Sequence, residues 1–176
     1  MVVATGMCLV LASCGPGRLP RGDPAPRGPQ LPGLCGGEIL ELRDAARFTP
    51  YAILVPDHPL ASEDTLESVE WCPVPELLAM SFTSGVQVQL STSQLGDPAE
   101  VFARHAEAYA GTTVGTVRGV VASFTEPGSM GEDSVGPAPG GVEFVEDGVL
   151  IDVVGDGSIA LEDMKAIAES LKAYAP

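Results

Sequence analysis

Residues 142–154 read VEFVEDGVLIDVV, and this stretch decides the fold class. Two apolar runs, residues 142–145 and 149–154, flank Glu146-Asp147-Gly148. An Asp-Gly pair between apolar runs is a strong hairpin signal, because both residues tolerate the positive backbone angles of a tight turn. The stretch therefore predicts two neighbouring antiparallel strands.

Further strands are predicted on both sides of a long central helix. Residues 86–91 alternate apolar Val86, Val88 and Leu90 with polar side chains, which is typical of a half-buried antiparallel strand. A turn at Ser84-Gly85 would join this strand to the one before it. The remaining predicted strands are residues 51–55, 66–72, 77–82 and 116–125, and a loop is predicted over residues 126–141.

Three helices are predicted, at residues 38–47, 98–109 and 161–174. Asp97 before Pro98 is a helix start signal, and Leu161, Met164 and Ile167 recur at helical spacing. Strands that meet as hairpins and are interrupted by helices indicate an α+β domain over residues 34–176. We expect a single antiparallel sheet with the helices packed on one face.

The N-terminus carries a second signal, the run Leu11-Ala12-Ser13-Cys14 at the end of a short apolar segment. Small residues before a cysteine are typical of a bacterial lipoprotein signal, in which residues 1–13 are removed and Cys14 takes an acyl lipid. A secretory signal usually begins with a basic residue, whereas the first one here is Arg18. An ordinary apolar N-terminus with a free Cys14 is therefore the alternative interpretation.

Residues 14–33 are rich in Pro and Gly and have no periodicity, so we expect an extended, disordered tether. The tether has three Arg and one Asp, a net charge of +2, and the rest of the chain has 6 basic and 23 acidic residues, a net charge of −17. Such an acidic domain is repelled from anionic lipid and lacks the basic face that nucleic acid requires. We expect a monomer on the outer face of the plasma membrane, held through Cys14, with no nucleic-acid partner.

The other cysteines predict a disulfide. Cys8 lies in the leader, so Cys35 and Cys72 remain as an even pair in an oxidising compartment. A bridge between them would close a loop of 72 − 35 = 37 residues. Two buried free thiols are the alternative, and neither cysteine belongs to a CxxC pair of the kind that binds metal.

Two phrases of the sequence carry a family resemblance. An apolar strand that ends in proline, Phe48-Thr-Pro-Tyr-Ala-Ile-Leu-Val-Pro56, opens the domain, and Leu161-Glu-Asp-Met-Lys-Ala-Ile-Ala-Glu-Ser-Leu171 closes it. From about Ala45 to its end the chain resembles a domain family of unknown function, found in bacterial extracytoplasmic proteins that include lipoproteins and the outer parts of anti-sigma-type membrane proteins. The composition, rich in Ala, Val, Gly and Pro, fits an actinobacterial source. The resemblance implies an extracytoplasmic location and a sensing, scaffolding or ligand-holding role, with no catalytic residues to assign.

Residues 152–163 also resemble a twelve-residue calcium loop. Asp152, Asp156, Ser158 and Asp163 would supply oxygen ligands, and Gly157 would permit the sharp turn. Against this, Val154 occupies a ligand position, the last ligand is Asp rather than Glu, and the loop occurs once. A strand-turn-helix junction is the alternative interpretation.

Motifs of enzymes are absent from the sequence, which has no GxSxG elbow, no HExxH helix and no phosphate-binding loop before a helix. His105 is a single candidate base on a helix face, where a structural role is the commoner one. We therefore expect a non-enzymatic surface lipoprotein that binds an unknown protein or small molecule without a cofactor. A calcium-binding adhesion or assembly module is the alternative.

Overall fold

The computed structural model describes residues 38–128 and 139–175. Three helices lie in these ranges, α1 (Leu42–Ala45), α2 (Pro98–Ala108) and α3 (Leu161–Glu169), together with a 3-10 turn at Glu63–Thr65. The strands of the described ranges are β1 Glu38–Leu40, β2 Leu54–Val55, β3 Leu66–Cys72, β4 Leu77–Phe82, β5 Val86–Thr92, β6 Thr112–Val117, β7 Val120–Thr125, β8 Gly140–Glu146, β9 Val149–Gly155 and β10 Lys172–Ala173.

Eight strands form one large antiparallel sheet in the order β1-β3-β4-β5-β9-β8-β7-β6. The expected α+β class with a dominant antiparallel sheet is confirmed at this level. A second, two-stranded sheet of β10 and β2 was not expected from the sequence.

The turns at the centre of the sheet follow the sequence signals. Asp147 and Gly148 have φ angles of 50° and 78°, so the turn predicted between β8 and β9 is confirmed. Gly85, with φ 87°, lies in the predicted turn between β4 and β5. Both hairpins form because these residues adopt positive φ angles at low cost.

Three predicted elements are wrong in part. Residues 38–40 form edge strand β1 against β3 instead of the start of the predicted helix 38–47, and only Leu42–Ala45 of that range is helical. The predicted strand 116–125 is a hairpin, because Arg118 and Gly119 turn the chain between β6 and β7 with φ angles of 51° and 79°. The last helix ends at Glu169, and Lys172–Ala173 pairs with β2. In each case, hydrogen bonding to another strand outweighs the conformational preference of the local sequence.

One face of the sheet, the core face, carries the main hydrophobic core. It presents Met80, Val88, Leu90, Val142, Phe144, Ile151 and Val153, each fully buried. The α3 helix packs closely here because Gly140 and Gly155 stand opposite each other in the sheet. A Cβ on Gly140 would lie 2.8 Å from Met164 Cε, and one on Gly155 would lie 2.8 Å from Ile159 Cβ.

The expectation that all helices pack on one face is wrong. Glu143 alternates with Val142 and Phe144 along β8, so its side chain points to the opposite face, here called the polar face. Nδ1 of His105, on α2, lies 3.9 Å from Glu143 Oε2, which places α2 on the polar face. Phe102 of α2 is fully buried and does not belong to the main core, so a second apolar contact holds this helix.

Candidate functional site

A row of polar residues crosses the polar face of the sheet. Gln89 on β5 is opposite Asp152 on β9, Asp152 is opposite Glu143 on β8, and Glu143 is opposite Ser123 on β7. The strand alternation that buries Val and Phe on the core face places all four on the other side. The centre of this row is a pair of facing carboxyl groups.

The hairpin geometry brings these two carboxyl groups as close as a sheet permits. Glu146 and Val149 flank the two-residue turn and form its first, hydrogen-bonded pair. Hydrogen-bonded pairs recur every second residue, at Phe144 with Ile151 and at Val142 with Val153. Glu143 and Asp152 lie between them and form a non-hydrogen-bonded pair, in which the side chains approach most closely. Their Cβ atoms are expected about 4.5–5.5 Å apart.

Burial and mutual repulsion keep this pair from ionising fully. Burial, which disfavours the charged form, raises the pKa of Asp152 from 3.8 to about 7, and the charge of Glu143 adds to the effect. Burial also raises the pKa of Glu143, while His105 acts in the opposite direction. Close to neutral pH the pair therefore retains a proton that isolated carboxyl groups would have lost.

The α2 helix supplies the histidine neighbour of the pair. Asp97 begins the helix by accepting a hydrogen bond of 2.9 Å from the Ala99 amide, as its sequence predicts. Two turns later His105 faces Glu143, with 42% of its side chain exposed, and its ring packs edge-to-face on Tyr109 at 5.9 Å. A protonated His105 would favour the ionised form of Glu143.

Amide side chains extend the row toward β4. Gln89 Nε2 donates to Gln87 Oε1 at 2.7 Å, and Gln87 Nε2 donates to Ser81 Oγ at 3.1 Å. Gln87 is only 4% exposed, so this chain of hydrogen bonds satisfies a buried amide. The amide groups are thus engaged with each other rather than with Asp152.

Gly141 lies beside the Asp152 carboxylate. A Cβ built on Gly141 would lie 3.6 Å from Asp152 Oδ1 and 3.4 Å from the Val153 carbonyl oxygen. A larger side chain there would cover the carboxylate. The arrangement can hold a proton or a positively charged group next to the pair.

The calcium-loop interpretation does not fit the geometry. Asp152 lies within β9, so roughly 13 Å of extended chain separates it from Asp156. Asp156 Oδ1 instead accepts hydrogen bonds from the amide and the hydroxyl of Ser158, at 2.9 and 2.5 Å. Asp163 lies in the first turn of α3. Within residues 38–128 and 139–175, no group of three or more His, Cys, Asp or Glu side chains is arranged to hold a metal ion.

Only one of the sequence-predicted cysteine sites lies in the described part of the chain. Cys72 is fully buried at the end of β3 and is disulfide-bonded. Cys14 and Cys35 lie outside the described residues, so the lipid on Cys14 and the pairing of Cys35 with Cys72 stay predictions. Two acidic residues of the predicted loop, Glu132 and Asp133, also lie outside the described residues.

Sequence reasoning missed the pairing of Glu143 with Asp152, although the signal was present. A two-residue turn at Asp147-Gly148 fixes the register of the hairpin. Counting outward from it pairs residue 146 with 149 and residue 143 with 152. The role of α2 had no such local signal, because it depends on where the helix docks.

Comparisons with protein-family models, curated proteins and solved structures found no match to this chain. The family resemblance of its opening and closing phrases therefore stays a proposal. In the described ranges, none of the helices is long and apolar enough to cross a membrane.

Proposed function

We propose that this protein is a non-enzymatic lipoprotein of the outer face of the plasma membrane that binds a ligand through the polar face of its sheet. The extracytoplasmic domain family that it resembles agrees with this role. The observation that carries the binding role is the facing pair of carboxyl groups, Glu143 and Asp152.

A half-buried pair of like charges is costly, because it stabilises the fold less than apolar residues of similar size would. A ligand with an ammonium or guanidinium group would supply the missing positive charge and release the proton held by the pair. His105 on α2 and Gly141, which has no side chain to cover the carboxylate, border the same position. We therefore expect a small organic cation, or a basic side chain of a partner, as the bound group.

The lipid anchor is tested by the intact mass of the protein taken from its native membrane fraction. We expect a mature N-terminus at Cys14 with added acyl mass. An unacylated chain that still begins at Met1 would overturn the anchor and the proposed location.

The binding role is tested by thermal unfolding with agmatine and with an uncharged alcohol of equal length. Agmatine should raise the melting temperature, more at pH 8 than at pH 5, because the pair ionises as the pH rises. Asp152→Asn should abolish the shift, whereas Asp147→Asn, an exposed change in the same hairpin, should retain it. An equal shift in both variants would contradict the site.

The alternative functions have separate tests. A calcium-binding module predicts a melting shift on adding calcium that Asp156→Ala abolishes, and the strand position of Asp152 makes us expect no shift. A hydrolase predicts an activity that His105→Ala removes. Neither function is favoured by the geometry of the described residues.

A further inference from the structure

Strand β6 is the last strand of the eight-stranded sheet. It pairs with β7 on one side, and among the described residues no strand pairs with its other side. An edge strand presents unpaired amide and carbonyl groups that another chain can use to extend the sheet. The backbone groups that point outward can be identified from the register.

The hairpin of β6 and β7 fixes which groups those are. Val117 and Val120 flank its two-residue turn, and at the far end the Glu126 amide donates to the Gly111 carbonyl at 3.0 Å. The backbone amide and carbonyl groups of the odd-numbered residues of β6 therefore bond to β7. Those of the even-numbered residues point away from β7, toward the open edge of the sheet. The Thr112 amide is already bonded to the Tyr109 carbonyl at 3.2 Å, which leaves the amides of Val114 and Thr116 at the open edge.

This edge lacks the usual features that prevent strand addition. Its sequence, TTVGTV, contains no charge and no proline, and β6 pairs with β7 in continuous register. Val114 is 44% exposed, and Tyr109, at the end of α2 beside this strand, is 63% exposed. The opposite edge, β1, is only three residues long and begins with Glu38.

We propose that β6 is a docking site for an extended, basic segment of a partner protein, which adds to the sheet as a ninth strand. Its backbone would bond to the Val114 and Thr116 edge, and alternate side chains would pack beside Val114 and Tyr109. The negative charge of the domain favours a positively charged partner. A net charge of −17 from residue 34 onward attracts a basic segment and repels a second copy of the chain.

The docking site is tested with the whole chain, purified in detergent, and two labelled peptides. Both carry a six-residue core of alternating Val and Thr, flanked by lysines in one and by glutamates in the other. Fluorescence anisotropy should show at least tenfold tighter binding of the lysine peptide at low salt. The difference should shrink as salt screens the charges.

Two variants locate the binding at β6. Val114→Pro removes an outward amide and spares the ladder to β7, so it should weaken binding of the lysine peptide at least tenfold. Val114→Lys should weaken it as well, whereas Ile39→Lys, the same charge change on β1, should weaken it far less. Hydrogen exchange at the Val114 and Thr116 amides should slow when the peptide binds.

The inference is overturned if the two peptides bind equally, or if Val114→Pro leaves binding unchanged. Equal weakening by Val114→Lys and Ile39→Lys would show that the peptide responds to the net charge of the protein and not to β6, which also overturns the inference. A concentration-dependent dimer in sedimentation that Val114→Lys abolishes would make a second copy the occupant and overturn the assignment to a basic partner. These outcomes concern β6 alone and leave the ligand site on the polar face to its own test.

Discussion

At the scale of single residues, the facing carboxyl groups of Glu143 and Asp152 set the electrostatics of the polar face. In an unfolded chain Asp152 ionises near 3.8, whereas in the fold burial and Glu143 hold its pKa at about 7. Between these values the unfolded chain loses a proton that the folded chain keeps. The pair therefore destabilises the fold progressively as the pH rises from about 4 to about 7.

Asp152→Asn should remove this penalty, because the amide resembles the protonated acid and does not ionise. The free energy of unfolding should rise relative to the wild type, and the gain should be roughly 2–3 kcal/mol larger at pH 8 than at pH 5. Urea unfolding at the two pH values measures it. Asp147→Asn is the control, since that side chain is exposed. An equal gain at both pH values would show that Asp152 is not protonated in the fold.

Arg118, in the turn between β6 and β7, forms hydrogen bonds that connect this hairpin to the end of α3 and to Glu146 of β8. Its guanidinium donates to both carboxylate oxygens of Glu146, at 2.8 and 3.3 Å, and to the Leu171 carbonyl at 2.7 Å. Its own amide donates to Glu169 Oε1 at 2.9 Å. Paired charges with this geometry, about three-quarters shielded from solvent, stabilise far more than exposed pairs.

Arg118→Ala should lower the free energy of unfolding by roughly 2–3 kcal/mol, because it leaves Glu146 and the Leu171 carbonyl without these donors. Arg118→Lys should lose part of this, since an ammonium cannot form the forked pair. Arg43→Ala, which breaks an exposed pair with Glu41, is the control and should change stability by less than about 0.5 kcal/mol. Similar losses for Arg118→Ala and Arg43→Ala would contradict this role.

At the scale of elements, Phe102 is the one side chain of α2 that is fully buried, so it is the main anchor of this helix on the polar face. Glu100, Arg104 and Glu107 of the same helix lie exposed. The helix contacts β6 and β7 and brings His105 to Glu143 on β8. The position of His105 in the candidate site therefore depends on the packing of Phe102.

Phe102→Ala should destabilise the protein by about 3–5 kcal/mol, because it removes a fully buried ring. Phe48→Ala is the matched control, since the Phe48 ring is 56% exposed and its loss should cost little. Thermal unfolding followed by circular dichroism measures both. If Phe102→Ala were as mild as Phe48→Ala, α2 would have to be held by other contacts.

The elements that were predicted well are those with a complete local signal. The β8–β9 hairpin combines an Asp-Gly turn with alternating side chains, and α2 combines a cap at Asp97 with Pro98. The misassigned elements lack such signals. Residues 38–40 and 172–173 become strands only because β3 and β2 lie beside them, which local propensity cannot reveal.

At the scale of the whole molecule, Cys72, at the end of β3, forms a disulfide. We predict Cys35 as its partner, and the 37-residue loop would restrict the unfolded chain. Reduction should lower the free energy of unfolding by about 3–4 kcal/mol. Cys35→Ser and Cys72→Ser should each reproduce that loss, and peptide mapping should recover the two cysteines in one linked fragment. A bridge that survives Cys35→Ser would identify a different partner.

The sequence by itself determined the antiparallel class, the central hairpins and the start of α2, because the hairpins and the helix start depend on residues close together in the chain. The pairing of β5 with β9, which joins the two halves of the large sheet, is a contact between distant segments. The sequence also contains the register that opposes Glu143 to Asp152, since a two-residue turn fixes that register. Only the tertiary structure decided that α2 and α3 lie on opposite faces and that His105 meets Glu143. These are contacts between distant segments, and they depend on which surface a helix buries rather than on its own pattern.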